Sequence, residues 1–163
     1  MKNKVVLFTV ITGLSLIFFV SWSMSNKKPL DYRTVAPNGE SIAENLDKLK
    51  SILNSSVNAK FKTKQDFNIS EITFLKNKFS AGIIANVEFK TASGYNSNVV
   101  LFKNIPSANI ISEGKALDNT YSQNEVIKVT CTGGECCQVH VHIGDDNNIH
   151  VDCTCSPCGI RIE

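Results

Sequence analysis

All six cysteines and all three histidines of this chain lie between Cys131 and Cys158, in a stretch reading CTGGECCQVHVHIGDDNNIHVDCTCSPC. A segment this short cannot hold a fixed shape on apolar burial alone, so crosslinks through sulfur or a metal ion must help to define it. Its remaining residues are patterned. Val139, Val141 and Ile143, then Ile149 and Val151, alternate with polar residues on either side of Gly144, Asp145, Asp146, Asn147 and Asn148. Two alternating runs about a turn-rich centre predict a β-hairpin.

The side-chain period of two restricts the register of that hairpin, because a slip of one residue would mix apolar and polar faces, whereas a slip of two keeps them apart and leaves two registers, with pair numbers summing to 292 or 294. Pairing Ile143 with Ile149 also pairs Val141 with Val151, Val139 with Cys153 and Cys137 with Cys155, all on one face. The opposite face then sets His142 against His150 and His140 against Asp152. Directly opposed β-carbons stand about 4.5–5.5 Å apart, within reach of a shared ion. His140, His142, His150 and Asp152 are therefore candidate ligands for Zn²⁺ or Cu²⁺, against the plainer reading of histidines on a solvated strand face.

For the sulfurs the expectation is disulfides among Cys131, Cys136, Cys137, Cys153, Cys155 and Cys158, with Cys137–Cys155 as the favoured pair from the facing positions. Cys136 points away from Cys137 in an extended backbone and needs a partner elsewhere. The alternative is a thiolate metal cluster built on the C-x-C-x-x-C string of Cys153, Cys155 and Cys158. The C-x-x-C of Cys155 and Cys158 lacks a following helix, which weakens a thioredoxin-like reading. Ile160 to Ile162 alternate as one last strand.

The case for disulfides rests on export. Lys2 and Lys4 precede an apolar run from Val5 to Val20, the layout of a signal sequence, so residues 1–25 are expected to be a signal peptide or an N-terminal membrane anchor. Ser23 and Ser25 fit a cut before Asn26. Lys27, Lys28 and the interfacial Trp22 fit retention, with residues 5–22 as the anchor. The expected location is the periplasm, cell surface or exterior, with membrane contact only if this segment is kept. Residues 26–38, with Pro29 and Pro37, read as a polar tether.

Residues 39–103 read as an α+β domain. Ser41 followed by Glu44 resembles a capping box, and Ile42, Leu46, Leu49 and Leu53 recur at helical spacing, predicting an amphipathic helix over about 41–54. Val57, Ala59, Phe61 and Thr63 then alternate with Asn58, Lys60, Lys62 and Lys64, predicting a strand whose lysines face water. Phe67 and Ile69 share one phase while Ile72 and Phe74 share the other, which places a bulge near Ser70. Ile83, Ala85, Val87 and Phe89 form the next strand face. Residues 93–96 read as a turn and Val99 to Lys103 as a further strand. The expected architecture is one helix packed on an antiparallel meander, followed by a connection over 104–124 and the cysteine-rich hairpin tail over 125–163.

The formal charge is +2, and Lys2 and Lys4 account for it, because no acidic residue precedes Ser25. A body of balanced charge lacks the basic footprint of a nucleic-acid binder. No H-E-x-x-H, G-x-S-x-G or phosphate-cradling glycine string occurs. The paired aspartates at 145 and 146 lack the spacing of an EF-hand. The chain is therefore read as a non-catalytic binding or structural module that meets an envelope or extracellular protein or ligand. No cofactor is expected on this reading, and the alternative is a Zn²⁺- or Cu²⁺-binding protein.

Overall fold

The computed structural model describes residues 32–117, 125–134 and 136–163. The expected targeting segment over 1–25, most of the tether and part of the expected connection lie outside the described residues. Among the described residues no helix is long and apolar enough to cross a membrane.

The fold is α+β, with one α-helix and nine strands among the described residues. Helix α1 spans Leu46–Phe61, later at both ends than the capping pattern suggests. Asn45 caps it: its backbone is extended and its side chain accepts from the Lys48 amide at 2.9 Å. Ser41 is instead drawn into a bridge with Val35 and turns its hydroxyl to the Thr34 carbonyl. The helix then runs through the region expected to be a strand. Leu49, Leu53 and Val57 are four apart and all fully buried, a continuous helical stripe that outweighs the alternation of 57–63. Lys62, left-handed at φ 57°, ends it.

Strands β1 (Phe67–Leu75), β2 (Ile83–Thr91) and β3 (Asn96–Lys103) form the expected antiparallel meander. The β1–β2 register shifts between Ile69 and Glu71, which places the bulge at Ser70 as its phase change predicts. Short strands β4 (Ile110–Ser112) and β5 (Lys115–Ala116) follow, then β6 (Ile127–Gly133), β7 (Val139–Ile143), β8 (Ile149–Cys153) and β9 (Cys158–Ile162). Two sheets result, ordered β1-β2-β3-β6-β9 and β5-β4-β8-β7.

The tail is thus woven into the body: β6 pairs with β3, and β9 pairs with β6. Within the stretch read as a connection, β4 lies parallel to β8, with the fully buried Ile110 opposite Ile149. The described end of the tether is packed as well, since Thr34 and Ala36 are buried.

Strand β3 shows how the layers form. Val99 and Leu101 join the cluster under α1, with Leu49, Leu53, Val57, Phe67 and Phe89. Val100 and Phe102 join a second cluster with Ile110, Cys131, Cys137, Val139, Ile149 and Val151. The central sheet is therefore covered by the helix on one face and by the hairpin sheet on the other. Each such buried Leu, Ile, Val or Phe contributes about 1.5–3 kcal/mol relative to exposure.

Candidate metal face and sulfur cluster

The hairpin adopts the register with pair numbers summing to 292: Val139 faces Cys153, His140 faces Asp152, Val141 faces Val151, His142 faces His150 and Ile143 faces Ile149. Asn98 of β3 fixes its position. The Asn98 amide nitrogen donates to the Val139 carbonyl at 2.8 Å, and its oxygen accepts from the Val139 amide at 2.8 Å. Val139, Ile149 and Val151 are buried, so the histidine face points outward.

Donor atoms of His140, His142 and Asp152 all lie within 4.8 Å of one another on that exposed face. The Nδ1 atom of His142 stands 3.9 Å from a carboxylate oxygen of Asp152. His150, the fourth expected ligand, is held differently. Its Nε2 lies 3.3 Å from Asp146, and its ring stacks on that of His142 at 5.0 Å between centroids and 12° between planes. Imidazole lone pairs lie in the ring plane, so two rings stacked this way cannot aim at one ion. The fourfold square expected from register alone resolves into a trio plus a neighbour.

Asp146 was legible only as turn chemistry, and it does that work too. Its carboxylate accepts from the Asn148 amide and side chain, each at 2.9 Å. These two bonds, together with His150, hold the Asp146 carboxyl below its ordinary pKa. Gly144 leaves the room required, because a β-carbon there would lie 2.7 Å from His150 Nε2.

The cysteines form three disulfides: Cys131–Cys153, Cys136–Cys155 and Cys137–Cys158. The pair expected from facing positions, Cys137–Cys155, does not form. The hairpin ladder ends at Val139 and Cys153, and beyond it the Thr154 hydroxyl caps the frayed end, accepting from the Gln138 amide and donating to the Cys136 carbonyl. Cys155 is thereby offered to Cys136, and Cys137 reaches β9 instead. Cys153, the last residue of β8, is bonded to Cys131 of β6, so it takes no part in the C-x-C-x-x-C cluster considered from sequence.

The last two bridges lie against each other. Cys155 Sγ is 3.2 Å from Cys158 Sγ and 3.9 Å from Cys137 Sγ, and the four sulfurs of Cys136, Cys137, Cys155 and Cys158 lie within 4.8 Å of one another. Gly133, at φ 133°, permits this approach, since a β-carbon there would stand 2.9 Å from Cys137 Sγ.

Beneath the bridges lies a residue the sequence reading misplaced. Lys60, expected on a wet strand face, is 5% exposed on the inner face of α1. Its Nζ donates to the Cys131 carbonyl at 2.9 Å and to the Cys137 carbonyl. Burial pushes its pKa down to about 8. Lysine usually marks a solvated position, so only the four-residue spacing from Ser56 and the Leu49–Leu53–Val57 stripe hints at this placement.

Comparison with protein families, with curated proteins and with solved structures gives no match in any of the three.

Proposed function

We propose that this chain is an exported or membrane-tethered protein of the cell envelope, a non-catalytic module whose disulfide-stapled hairpin serves binding. The three disulfides carry this reading, because such bridges persist where thiols are kept oxidised. Intact mass of the protein from its native compartment tests it. The expected result is a chain short of six hydrogens, either cut before Asn26 or recovered with membranes. Six free thiols on a cytosolic chain with its first residues intact would overturn it.

The occupant of the hairpin face, on a second reading, is a divalent transition ion, Cu²⁺ or Zn²⁺. What supports it is the trio of His140, His142 and Asp152, two imidazoles and a carboxylate with donor atoms within 4.8 Å. Borderline ions of this kind take such mixed nitrogen and oxygen ligands and leave a remaining position open to solvent or to a ligand. Calorimetric titration of the oxidised protein with Cu²⁺ or Zn²⁺ should give one equivalent at micromolar affinity. His142→Ala should weaken it by roughly 10- to 100-fold, as loss of a ligand or its support does. Equal binding by the wild type and this variant would remove the assignment.

A further inference from the structure

We infer that Cys136, Cys137, Cys155 and Cys158 constitute a latent tetrathiolate site, which takes one Zn²⁺ when its two disulfides are reduced, with Lys60 as a buried counter-cation. The site is separate from the histidine face and does not depend on it.

Geometry is the first support. A tetrahedral Zn²⁺ with Zn–S bonds of about 2.3 Å needs sulfurs about 3.8 Å apart. Two of the separations between one bridge and the other, 3.2 and 3.9 Å, fall on either side of that edge length, and the rest lie within 4.8 Å. Only the two bonded pairs must open. The backbone already gathers all four sulfurs from three places: the turn before β7, the segment after β8 and the start of β9.

Charge is the second support, and it is independent. A tetrathiolate around Zn²⁺ carries a net charge of −2, and at its inner edge, where Cys137 is buried, that charge needs a cation nearby. Lys60 meets that need. It is buried, its Nζ binds the carbonyl of Cys137 itself, and it makes no ion pair among the described residues. In the disulfide state this ammonium meets the carbonyls of Cys131 and Cys137 and the face of the Phe61 ring, all of them neutral. Thiolates beside it would supply the anion that the oxidised protein does not.

The step balances with a dithiol as reductant. Each of two dithiol molecules attacks one bridge, cleaves its S–S bond and closes to its own disulfide, leaving two cysteine thiols behind. Zn²⁺ then displaces four protons from the four thiols and forms four Zn–S bonds. An oxidant of the disulfide class reverses the exchange and releases the ion. Cys131–Cys153 lies outside the cluster and can remain closed throughout.

Titration of the intact protein with Co²⁺, after anaerobic reduction with a dithiol, tests the site. One equivalent should produce the visible absorption of tetrahedral Co²⁺ together with a sulfur-to-cobalt charge-transfer band, and Zn²⁺ should abolish both. The bands should survive in His140→Ala/His142→Ala and in Cys131→Ser/Cys153→Ser, and vanish in Cys155→Ser/Cys158→Ser. Lys60→Met should weaken Zn²⁺ binding by roughly ten-fold or more through loss of the adjacent charge. Hydrogen exchange must show β1–β3 still protected in the loaded protein. No sulfur band, a band that depends equally on Cys131 and Cys153, or Co²⁺ uptake only by an unfolded chain would each overturn the inference. Loss of the bands in the histidine variant alone would assign the metal to the hairpin face instead.

Discussion

The body under α1 and the tail around the hairpin are neighbours in one fold, yet they are held together in different ways. The first is a layer of Leu49, Leu53, Val57, Phe67 and Phe89 between helix and sheet, with no sulfur in it. The second has its own buried Ile and Val residues, but three covalent bridges cross it and a buried lysine binds its backbone. Where a helix can lay an apolar stripe on a sheet, burial suffices. Where two five-residue strands offer one thin face, crosslinks must supplement it.

Full reduction probes this contrast most strongly. Each bridge stabilises by about 2–4 kcal/mol, and the three close overlapping loops, so their sum is smaller than three times one. In a metal-free reduced protein, amide protection should collapse in β7 and β8 and persist in β1–β3. Uniform loss across both regions would show that they form a single cooperative unit. The converse test is Leu53→Ala, which should cost about 2–5 kcal/mol by urea denaturation because the side chain is fully buried beneath α1. With the bridges intact, the hairpin register should outlast this loss.

Glu163 couples the regions and gives the smallest effect. Its carboxylate accepts from Lys128, Ser55, Ser56 and Arg161, which joins the end of β9 to α1 and β6. Burial pushes its pKa up, but the bonds from Lys128, Ser55 and Arg161 prevail and hold it down at about 2. The folded state thus binds this proton less readily than the unfolded chain. Its contribution is complete above pH 4.5 and is lost as pH falls toward 2. Glu163→Gln should flatten the stability profile across that window in thermal melts.

What could be read in the sequence followed from local period. The hairpin register, the Ser70 bulge and strand β2 are written in alternation, whereas β3 shows only as the apolar run after a turn, and it begins at Asn96 rather than Val99 because both of its faces are covered. The misread portions share a different cause. Residues 57–61 satisfy both a period of two and a spacing of four, and only the stripe already begun at Leu49 decides between them. The disulfide pairing depends on β6 and β9 lying beside the hairpin, a non-local fact with no local signal. Strands β4 and β5, three and two residues long, are too short to show any period. Among candidate site residues, His140, His142 and Asp152 were accessible through register, whereas Lys60 required knowing which face of the helix meets the tail.

The bridges also share an arrangement with a practical consequence. All three run from the segment 131–137 to the segment 153–158, so everything from Gln138 to Asp152 hangs from one covalent clasp. A protease that severs the exposed tip at Asp145 or Asp146 would yield two polypeptides that still travel together until a reductant parts them. Integrity after a single cut is thereby built into the hairpin that carries the exposed His140 and His142.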